Sequence, residues 1–336
     1  MNTKPIIGIT MGDPAGIGAE IVVKALSNEK YYHRAAPVVL GDKERLQQSL
    51  KFVEQPLKVR AIEDLSEAKF KYGVIDVLES DIPGISDVTY GQVSAVAGKS
   101  AVAYVFKAIE LAQAQKIAAI VTGPLNKEAI HLAGYNQYSG HTEIFAEKTN
   151  TSDYAMMLAV NDLYVIHVST HCSLRQACDK ATKSRIKKVI DLANEVVKTY
   201  SISNPLIAVA GLNPHSGEGG AFGTEEIEQI IPAIEESLAK GMKVMGPVPP
   251  DSLFVRAKKG EYQVMIVMYH DQGHIPVKVI GFDEGINTSI GLPIIRTSVD
   301  HGTAFEIAGK GIASAASMEA ALNLAIDLAV NKERKE

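Results

Sequence analysis

Residues 5–18 read PIIGITMGDPAGIG, a short apolar run followed at once by a glycine-rich stretch. Similar apolar runs recur along the chain between amphipathic stretches, a pattern typical of α/β proteins with a mostly buried sheet. The predicted strands are Pro5–Thr10, Pro37–Leu40, Ala118–Thr122, Tyr154–Val160, Leu163–Ser169, Leu206–Ala210 and Val264–Tyr269. The predicted helices, with apolar residues three and four apart, are Gln92–Ala114, Lys183–Thr199, Glu225–Ala239 and Ser317–Val330.

Two local features refine this prediction. Only Asn161 and Asp162 separate the strands Tyr154–Val160 and Leu163–Ser169, which predicts a tight hairpin and therefore a mixed sheet. The glycine-rich stretch Met11–Gly18 matches neither GxxxxGK[ST] nor GxGxxG, so it is not a standard nucleotide-binding loop.

Composition excludes several classes of protein. The chain has 336 residues, of which 46% are hydrophobic and 22% charged, and its net charge is -5. These values exclude disorder as the dominant state and argue against nucleic acid as a partner. Cys172 and Cys178 are too few for a disulfide framework, so we expect reduced thiols. With no signal-peptide core and no apolar run near ~20 residues, we expect a soluble, cytoplasmic protein that does not bind membranes.

Polar residues follow five of the predicted strands. They lie in Thr10–Pro14, Thr122–Lys127, Ser169–His171, Gly211–His215 and Tyr269–Gly273. Because α/β proteins bind ligands beyond the carboxyl ends of parallel strands, this placement predicts one shared cleft.

Three of these strand ends carry a histidine: His171, His215 and His270. Imidazole is the commonest ligand of zinc-like cations, and three such ligands leave coordination positions open for a substrate. The alternative is that each histidine only caps a strand or bonds a nearby carbonyl group.

Two further groups indicate an anionic ligand. His141 and Thr142 lie at a predicted helix start, where phosphate binds favourably, although capping alone also explains that pattern. Lys278, Asn287 and Arg296 lie in a segment with several Gly and Pro, which we expect to be irregular. Their side chains suit a phosphate or carboxylate, and the alternative is solvated surface charge.

Six longer motifs occur in a fixed order along the chain. They are MGDPAGIGAEI (Met11–Ile21), TGPLNK (Thr122–Lys127), SGHTE (Ser139–Glu143), GLNPHSGEGG with GTEE (Gly211–Glu226), YHDQG (Tyr269–Gly273) and GLPIIRTSVDHGTAFEIAGKG (Gly291–Gly311). On these motifs the chain resembles the 4-hydroxythreonine-4-phosphate dehydrogenase family from end to end. The last motif also resembles the adenosine-binding segment of isopropylmalate and isocitrate dehydrogenases.

The resemblance implies an α/β, isopropylmalate-dehydrogenase-like two-lobed fold with a mixed sheet. We expect a cofactor-side lobe of residues 1–137 plus 286–336 and a metal and dimer lobe of residues 138–285, in one continuous enzyme unit. It also implies a homodimer with the site at the subunit interface, so that the metal ligands need not all come from one chain.

The site residues implied by the resemblance fall on the positions singled out above. A divalent metal, zinc or else cobalt, manganese or magnesium, would be held by His171, His215 and His270. Substrate contacts carry over to His141, Thr142, Lys278, Asn287 and Arg296. NAD would bind at His301, Gly302 and Glu306, where Glu306 aligns with the acidic residue that NAD-using relatives place against the adenosine ribose.

The reaction implied by the resemblance is oxidation of a secondary hydroxyl by NAD followed by loss of the carboxylate. Asp251 and Asp271 are candidates for orienting the ligand histidines or for handling protons. Three histidines would also suit a zinc hydrolase, which needs no nicotinamide, and a non-catalytic phosphometabolite-binding protein is a further alternative.

One departure concerns the substrate. The pyridoxal-pathway enzymes continue YHDQG with LPVLK, whereas this chain has His274-Ile-Pro-Val-Lys278. This resembles the dehydrogenases of 4-phospho-D-threonate and 4-phospho-D-erythronate, whose substrates carry a hydroxyl in place of an amine. An imidazole at His274 exchanges hydrogen bonds with a hydroxyl, whereas a protonated amine gains nothing where the ring presents N–H. We therefore expect a small phosphorylated hydroxy acid giving dihydroxyacetone phosphate and CO2, with 4-phosphohydroxythreonine as the alternative.

Overall fold

The computed structural model describes residues 4–281 and 285–333. The strands are β1 Ile6–Thr10, β2 Ala36–Gly41, β3 Lys58–Ile62, β4 Val74–Glu79, β5 Ala119–Thr122, β6 Ala155–Val160, β7 Leu163–His167, β8 Ile207–Ala210, β9 Val244–Val248, β10 Val264–Val267, β11 Ile286–Ile290 and β12 Ile295–Val299. The α-helices are α1 Gly18–Leu26, α2 Lys30–Arg34, α3 Lys43–Ser49, α4 Ala95–Gln113, α5 Lys127–Leu132, α6 His141–Lys148, α7 Leu174–Lys180, α8 Lys183–Thr199, α9 Ile231–Ala239, α10 Pro250–Lys258, α11 His270–Ile280 and α12 Ala316–Glu333. All the predicted strands and helices are present, although the predicted helix Glu225–Ala239 begins as a π-helix over Glu226–Ile230 and continues as α9.

The chain divides into two compact units. The first comprises Met1–Thr151 with Leu292–Glu336, and the second comprises Ser152–Gly291. Helix α6 therefore belongs to the first unit, whereas the predicted lobe boundary at 137/138 assigns it to the second lobe. The outer limits of the predicted lobes, residues 1 and 336, lie outside the described residues.

The first unit contains a parallel set of strands in the order β3-β4-β2-β1-β5-β12. Because β1, β5 and β12 are parallel neighbours, the loops that follow them lie along the same edge. The Asp13 N–H donates to the Pro124 carbonyl over 2.8 Å, and the Ile17 N–H donates to the Thr303 carbonyl over 3.1 Å. The glycine-rich stretch after β1 is thus joined to the segments that follow β5 and β12.

The second unit has the strand order β11-β6-β7-β10-β8-β9. Strands β11 and β6, and β6 and β7, pair antiparallel, whereas β7, β10, β8 and β9 are parallel. Val160 pairs with Leu163 across the Asn161–Asp162 turn, so the predicted hairpin is confirmed. The predicted class, an α/β fold with a mixed sheet, is also confirmed.

Strands β6, β8 and β10 of the second unit are buried over their full length, as their continuous apolar runs predict. Ile166 and Ile266 pack with α8 and α9 residues in one core cluster. Val165 and Met265, their neighbours along the strands, pack with α10 and α11 residues in the other. This alternation places the side chain of the next residue, His167, on the face that α11 covers.

The segment expected to be irregular is regular instead. Asn287 lies on β11, which pairs with β6 over its full length, and Arg296 lies on β12, which pairs with β5 from Ile295 to Ser298. Their sequences, INTSI and IRTSV, mix polar and apolar residues, so they lack the apolar run that identified the other strands. Within residues 4–281 and 285–333, no helix is both long enough and apolar enough to cross a bilayer.

Candidate active site

The three strand-end histidines of the second unit lie on neighbouring parallel strands. His171 follows β7, His270 follows β10 and His215 follows β8, with β10 paired to both of the others. The ring centroids of His171 and His270 are 6.0 Å apart. The fold therefore places all three at the same edge of this sheet, with His270 as the first residue of α11.

Two side chains that the sequence analysis missed join these loops. Ser169 Oγ, after β7, donates to the Met268 carbonyl over 2.9 Å. The Gln272 amide accepts a hydrogen bond from the Met268 N–H at 2.6 Å and donates to the Gly211 carbonyl at 2.8 Å. Both side chains are buried. Together they hold the three histidine-bearing segments in a fixed relation to one another.

The side chain of His270 is oriented by its neighbour in sequence. Its Nδ1 lies 2.6 Å from Asp271 Oδ1, and because a carboxylate only accepts, Nδ1 carries the proton. The lone pair is therefore on Nε2. This carboxylate–imidazole pairing is usual for metal-ligating histidines, so Asp271 fits the orienting role considered for it.

His215 lies on an unusual turn. The five residues from His215 to Gly219 all have positive φ, between 43° and 77°. His215, Ser216 and Glu218 are not glycine, and each such residue adopts the left-handed conformation at a cost of about 1 kcal/mol or more. Conformations of this kind persist where surrounding structure holds them, often at functional sites.

The carboxylate of Glu226 holds the start of this turn. Its Oε1 accepts from the backbone N–H groups of Leu212 and Asn213 at 2.8 and 2.7 Å, and its Oε2 accepts from Asn213 Nδ2 at 2.9 Å. Glu226 is 1% exposed. A buried carboxylate with three donors makes strong hydrogen bonds, so Glu226 fixes the backbone that carries His215.

His274 lies one helical turn beyond His270 on α11 and stacks on it. The two ring centroids are 3.6 Å apart and the rings are within 8° of parallel. His274 Nδ1 lies 3.1 Å from the His270 carbonyl, so Nδ1 is the donor and Nε2 is the acceptor nitrogen. An acceptor nitrogen receives a hydrogen bond from an ammonium group as readily as from a hydroxyl. The expectation that an amine gains nothing at His274 is therefore wrong for the neutral ring.

His167 is a third ring in this group and was not identified from the sequence. It ends β7, is buried, and has its ring centroid 4.8 Å from that of His274. Burial, with smaller contributions from the neighbouring His274 and His270, lowers the pKa of His167 to about 3. A histidine inside the apolar run Val165-Ile-His-Val168 was the available signal.

The predicted substrate residue Lys278 lies two turns beyond His270 on the same helix. The spacing of four places His270, His274 and Lys278 along one face of α11. Asn287 is half-buried on β11, opposite Leu158 of β6. Asp251 lies exposed in the first turn of α10, the helix that packs against the His215 turn.

The first unit contains a separate cationic group. Arg296 is buried, its guanidinium donates to Thr122 Oγ1 over 3.0 Å, and it lies 5.5 Å from the centroid of the Phe145 ring. Burial lowers the pKa of Arg296 to about 9, although Glu143 opposes the change.

His141 begins α6 close by, and burial together with the charge of Arg296 lowers its pKa. Its Nε2 has no hydrogen-bond partner in the described part of the chain, and the next residue of α6 is Thr142. A buried cation beside an unpaired polar atom suits an anionic ligand.

The predicted cofactor residues His301, Gly302 and Glu306 are exposed at the carboxyl end of β12. Ala304 between them is left-handed, with φ 43°, and Thr303 contacts the glycine-rich stretch after β1. An added Cβ on Gly16 would lie 2.9 Å from the Thr303 carbonyl oxygen. The two loops therefore touch at Gly16, where a larger residue would not fit. Backbone groups and polar side chains line this edge of the first unit.

The donor chemistry fits a divalent metal in part. His270 presents Nε2 and has His171 as its neighbour, but no group of three His, Cys, Asp or Glu side chains within residues 4–281 and 285–333 is arranged to hold a metal ion. The predicted set of His171, His215 and His270 stays a prediction.

Comparisons with known proteins identify the family. Residues 33–325 match the family described as pyridoxal phosphate biosynthetic protein PdxA. The chain is 48% identical over 333 residues to a D-threonate 4-phosphate dehydrogenase of Salmonella typhimurium, covering 98% of this chain and 100% of that protein. It is 47% identical over 330 residues to a D-threonate 4-phosphate dehydrogenase of Cupriavidus necator, covering 98% of each chain.

A solved structure gives the same result. A 4-hydroxythreonine-4-phosphate dehydrogenase from Klebsiella pneumoniae is 44% identical and superimposes with a TM-score of 0.87, covering 97% of this chain and 100% of that one. These relatives are dehydrogenases. The chain therefore belongs to the PdxA family and is an oxidoreductase that acts on a CH–OH group.

Proposed function

We propose that this protein is an NAD-dependent and divalent-metal-dependent dehydrogenase of 4-phospho-D-threonate or 4-phospho-D-erythronate. It oxidises the C3 hydroxyl to a ketone and the resulting β-keto acid loses its carboxylate, giving dihydroxyacetone phosphate and CO2. The names of the relatives from Salmonella typhimurium and Cupriavidus necator favour the threonate.

The observation that carries the choice of substrate is the buried ring of His274. Its Nδ1 donates to the His270 carbonyl, so Nε2 is the acceptor nitrogen of the neutral ring, and the ring lies between two other imidazoles. A substrate hydroxyl can donate to Nε2 while remaining neutral. An amine enters as a cation, and burying a cation costs more than burying a hydroxyl. The preference for the hydroxy acid thus comes from charge.

The metal would be held by His171, His215 and His270. When bound it supplies Lewis acidity to the reacting oxygen. Asp271 keeps the Nδ1 proton on His270 and so keeps Nε2 available as a ligand. Glu226 holds the turn of His215, while Ser169 and Gln272 hold the loops together.

The charged ends of the substrate are assigned to the remaining predicted residues. In the second unit, Lys278 continues the face of His270 and His274 and Asn287 lies on β11. In the first unit, the buried Arg296, with His141 and Thr142, offers donors to an anion. Guanidinium and ammonium groups are the usual partners of phosphate and carboxylate.

The nicotinamide cofactor is assigned to the loop after β12. Glu306 is exposed there and would accept hydrogen bonds from the adenosine ribose hydroxyls, while its charge would repel a 2′-phosphate. His301 and Gly302 precede it in the same loop. We therefore expect NAD to be preferred to NADP, and equal catalytic efficiency with both would refute this assignment.

A homodimer is also part of the proposal. Ile275 and Val279, one turn apart on α11, are 58% and 82% exposed. Exposed apolar residues on the helix that carries His270 suit a surface covered by a second copy, which would also allow ligands from two chains to complete the metal site. Light scattering coupled to gel filtration tests this, and a monomer at assay concentration would contradict it.

The function is tested by NADH formation with a panel of 4-phosphorylated four-carbon acids and added metals. We expect kcat/KM for 4-phospho-D-threonate to exceed that for 4-phosphohydroxythreonine at least about tenfold, which corresponds to about 1.4 kcal/mol. A preference for the amino compound would support the activity named for the Klebsiella pneumoniae structure instead. Undiminished activity after exhaustive chelation would contradict the metal requirement.

A further inference from the structure

His167 occupies a position where an apolar side chain would be expected. Its neighbours in sequence, Val165, Ile166 and Val168, are all buried and apolar, and His167 itself is only 1% exposed. Its Nδ1 lies 3.4 Å from the Met156 carbonyl, a long contact, and its Nε2 makes no well-formed hydrogen bond among the described residues. A buried nitrogen without a well-formed hydrogen bond destabilises the folded state, so a leucine would stabilise the core more.

The helix that faces His167 is adapted to it. An added Cβ on Gly273 of α11 would lie 2.5 Å from His167 Nε2 and 2.9 Å from Val165 Cγ1. Glycine inside a helix is less stable than alanine at the same position. Here it lets α11 approach β7 closely, and the residue brought against the His167 ring is His274.

We propose that His167 is a specificity-determining positioning residue, which holds the ring of His274 in the orientation that receives the substrate hydroxyl. This inference rests on the substrate proposed above. His167 does not contact the substrate itself. It acts through His274, which has His270 stacked at 3.6 Å and His167 tilted by 54° at 4.8 Å, so that two imidazoles limit its rotation.

The test is a double-mutant cycle with the full-length metal-loaded enzyme. The variants are His167→Leu, His274→Leu and the double variant, each assayed with 4-phospho-D-threonate and 4-phosphohydroxythreonine. We expect His167→Leu to reduce the ratio of the two kcat/KM values about tenfold, mainly by raising KM for the hydroxy acid. In the His274→Leu background the same change should leave the ratio unaltered within about twofold, because the residue that His167 positions is already gone.

Val165→Ala is the matched control. Val165 lies on the same strand and the same face and also contacts the α11 glycine. Val165→Ala should lower the melting temperature without changing the ratio of the two kcat/KM values.

If His167→Leu does not fold, His167→Met offers an unbranched apolar side chain of similar volume. Nitrogen-15 NMR of histidine-labelled wild-type and variant enzyme adds a second readout, since binding of the hydroxy acid should shift His274 Nε2 only where His167 is present.

The outcomes separate the two proposals. A wild-type ratio near one would overturn both the proposed substrate and this inference. A high wild-type ratio that persists in His167→Leu or His167→Met would overturn the role of His167 alone. If His167→Leu lowers the ratio of the two kcat/KM values equally with and without His274, then His167 does not act through that ring. This result would also overturn the inference.

Discussion

Two glycine-rich loops follow parallel strands in this protein, and they are held in opposite ways. Met11–Gly18 follows β1 in the first unit, and Gly211–Gly220 follows β8 in the second. In the first loop only Gly12 has a positive φ, whereas in the second six consecutive residues do, from His215 to Gly220. Similar composition therefore gives different backbone structures.

Glycine serves a different purpose in each loop. In the first, an added Cβ on Gly18 would lie 1.9 Å from the Met11 carbonyl oxygen, and one on Gly12 would lie 2.2 Å from the Pro124 carbonyl oxygen. In the second, Gly219 has nothing within 4 Å of an added Cβ. Backbone groups crowd the glycines of the first loop, whereas in the second the carboxylate of Glu226 binds the backbone and would lie 2.7 Å from an added Cβ on Gly217. A loop held by hydrogen bonds tolerates larger side chains and can present one of them to a ligand.

The largest effect should come from removing the histidine that the second loop presents. His215→Ala should lower kcat/KM about 1000-fold, or about 4 kcal/mol, because it removes a proposed metal ligand. The fold should persist, since His215 is exposed. His33→Ala, at an exposed histidine of the first unit, is the control and should retain activity. Wild-type turnover in His215→Ala would mean that the second loop is only structural.

Gly18→Ala should be the most destabilising change in the first loop. The new methyl group would overlap the Met11 carbonyl, so backbone must move, and we expect a loss of more than about 3 kcal/mol in urea unfolding. Gly302→Ala, at a glycine with nothing within 4 Å, should change stability by less than about 0.5 kcal/mol. Equal losses in the two variants would show that space is not what requires glycine at position 18.

Asp13 gives the first loop a pH dependence. Its Oδ1 accepts from the Ala15 N–H at 2.8 Å, and burial raises the pKa of its carboxyl group to about 6, against the opposing effects of that N–H group and Arg45. The folded state therefore binds this proton more tightly than the unfolded state does. The contribution of the Asp13 carboxyl group to the free energy of unfolding is fully present below about pH 4. It falls by about 3 kcal/mol as the pH rises to about 6.

Asp13→Asn should remove that contribution. Wild type and variant should unfold at similar urea concentrations at pH 4, where both side chains are neutral, and the variant should be the more stable above pH 6. Parallel stability curves for the two proteins between pH 4 and pH 7 would contradict the raised pKa of Asp13.

Glu226→Gln tests whether the Glu226 carboxylate holds the second loop in place. The amide loses the charge that strengthens the bonds from Leu212 and Asn213, and it places an NH2 group against Asn213 Nδ2. We expect a loss of about 2 kcal/mol in stability and about tenfold weaker metal binding by calorimetry. Glu228→Gln, at an exposed neighbour, should change neither quantity. Unchanged metal affinity in Glu226→Gln would show that the Glu226 carboxylate does not position His215.

The smallest effect should be a gain in stability. Glu218 is exposed and left-handed, with φ 43°, so Glu218→Gly should stabilise the protein by about 0.5–1 kcal/mol through relief of strain. Glu44→Gly, in the right-handed helix α3, should destabilise it by about 1 kcal/mol. Thermal unfolding of both variants checks the two signs. A loss of stability in Glu218→Gly would mean that the turn carries no relievable strain.

Much of the fold could be predicted from the sequence because its signals are local. The apolar runs that form β1, β5, β8 and β10 identify buried strands without reference to the rest of the chain, and the two-residue spacer Asn161–Asp162 predicts the hairpin. The histidines that follow β7, β8 and β10 could be assigned to one edge of a sheet for the same reason. The order of the long motifs was enough to indicate the family.

Other features depend on contacts between residues far apart in the chain, and only the tertiary structure decided them. Strands β11 and β12 lack apolar runs and form because β6 and β5 offer them hydrogen-bonding partners. The left-handed turn of His215 depends on a carboxylate that reaches it from Glu226. The pairing of His167 with His274 depends on α11 packing closely over β7, so it follows from how the elements pack and not from the pattern of either segment alone.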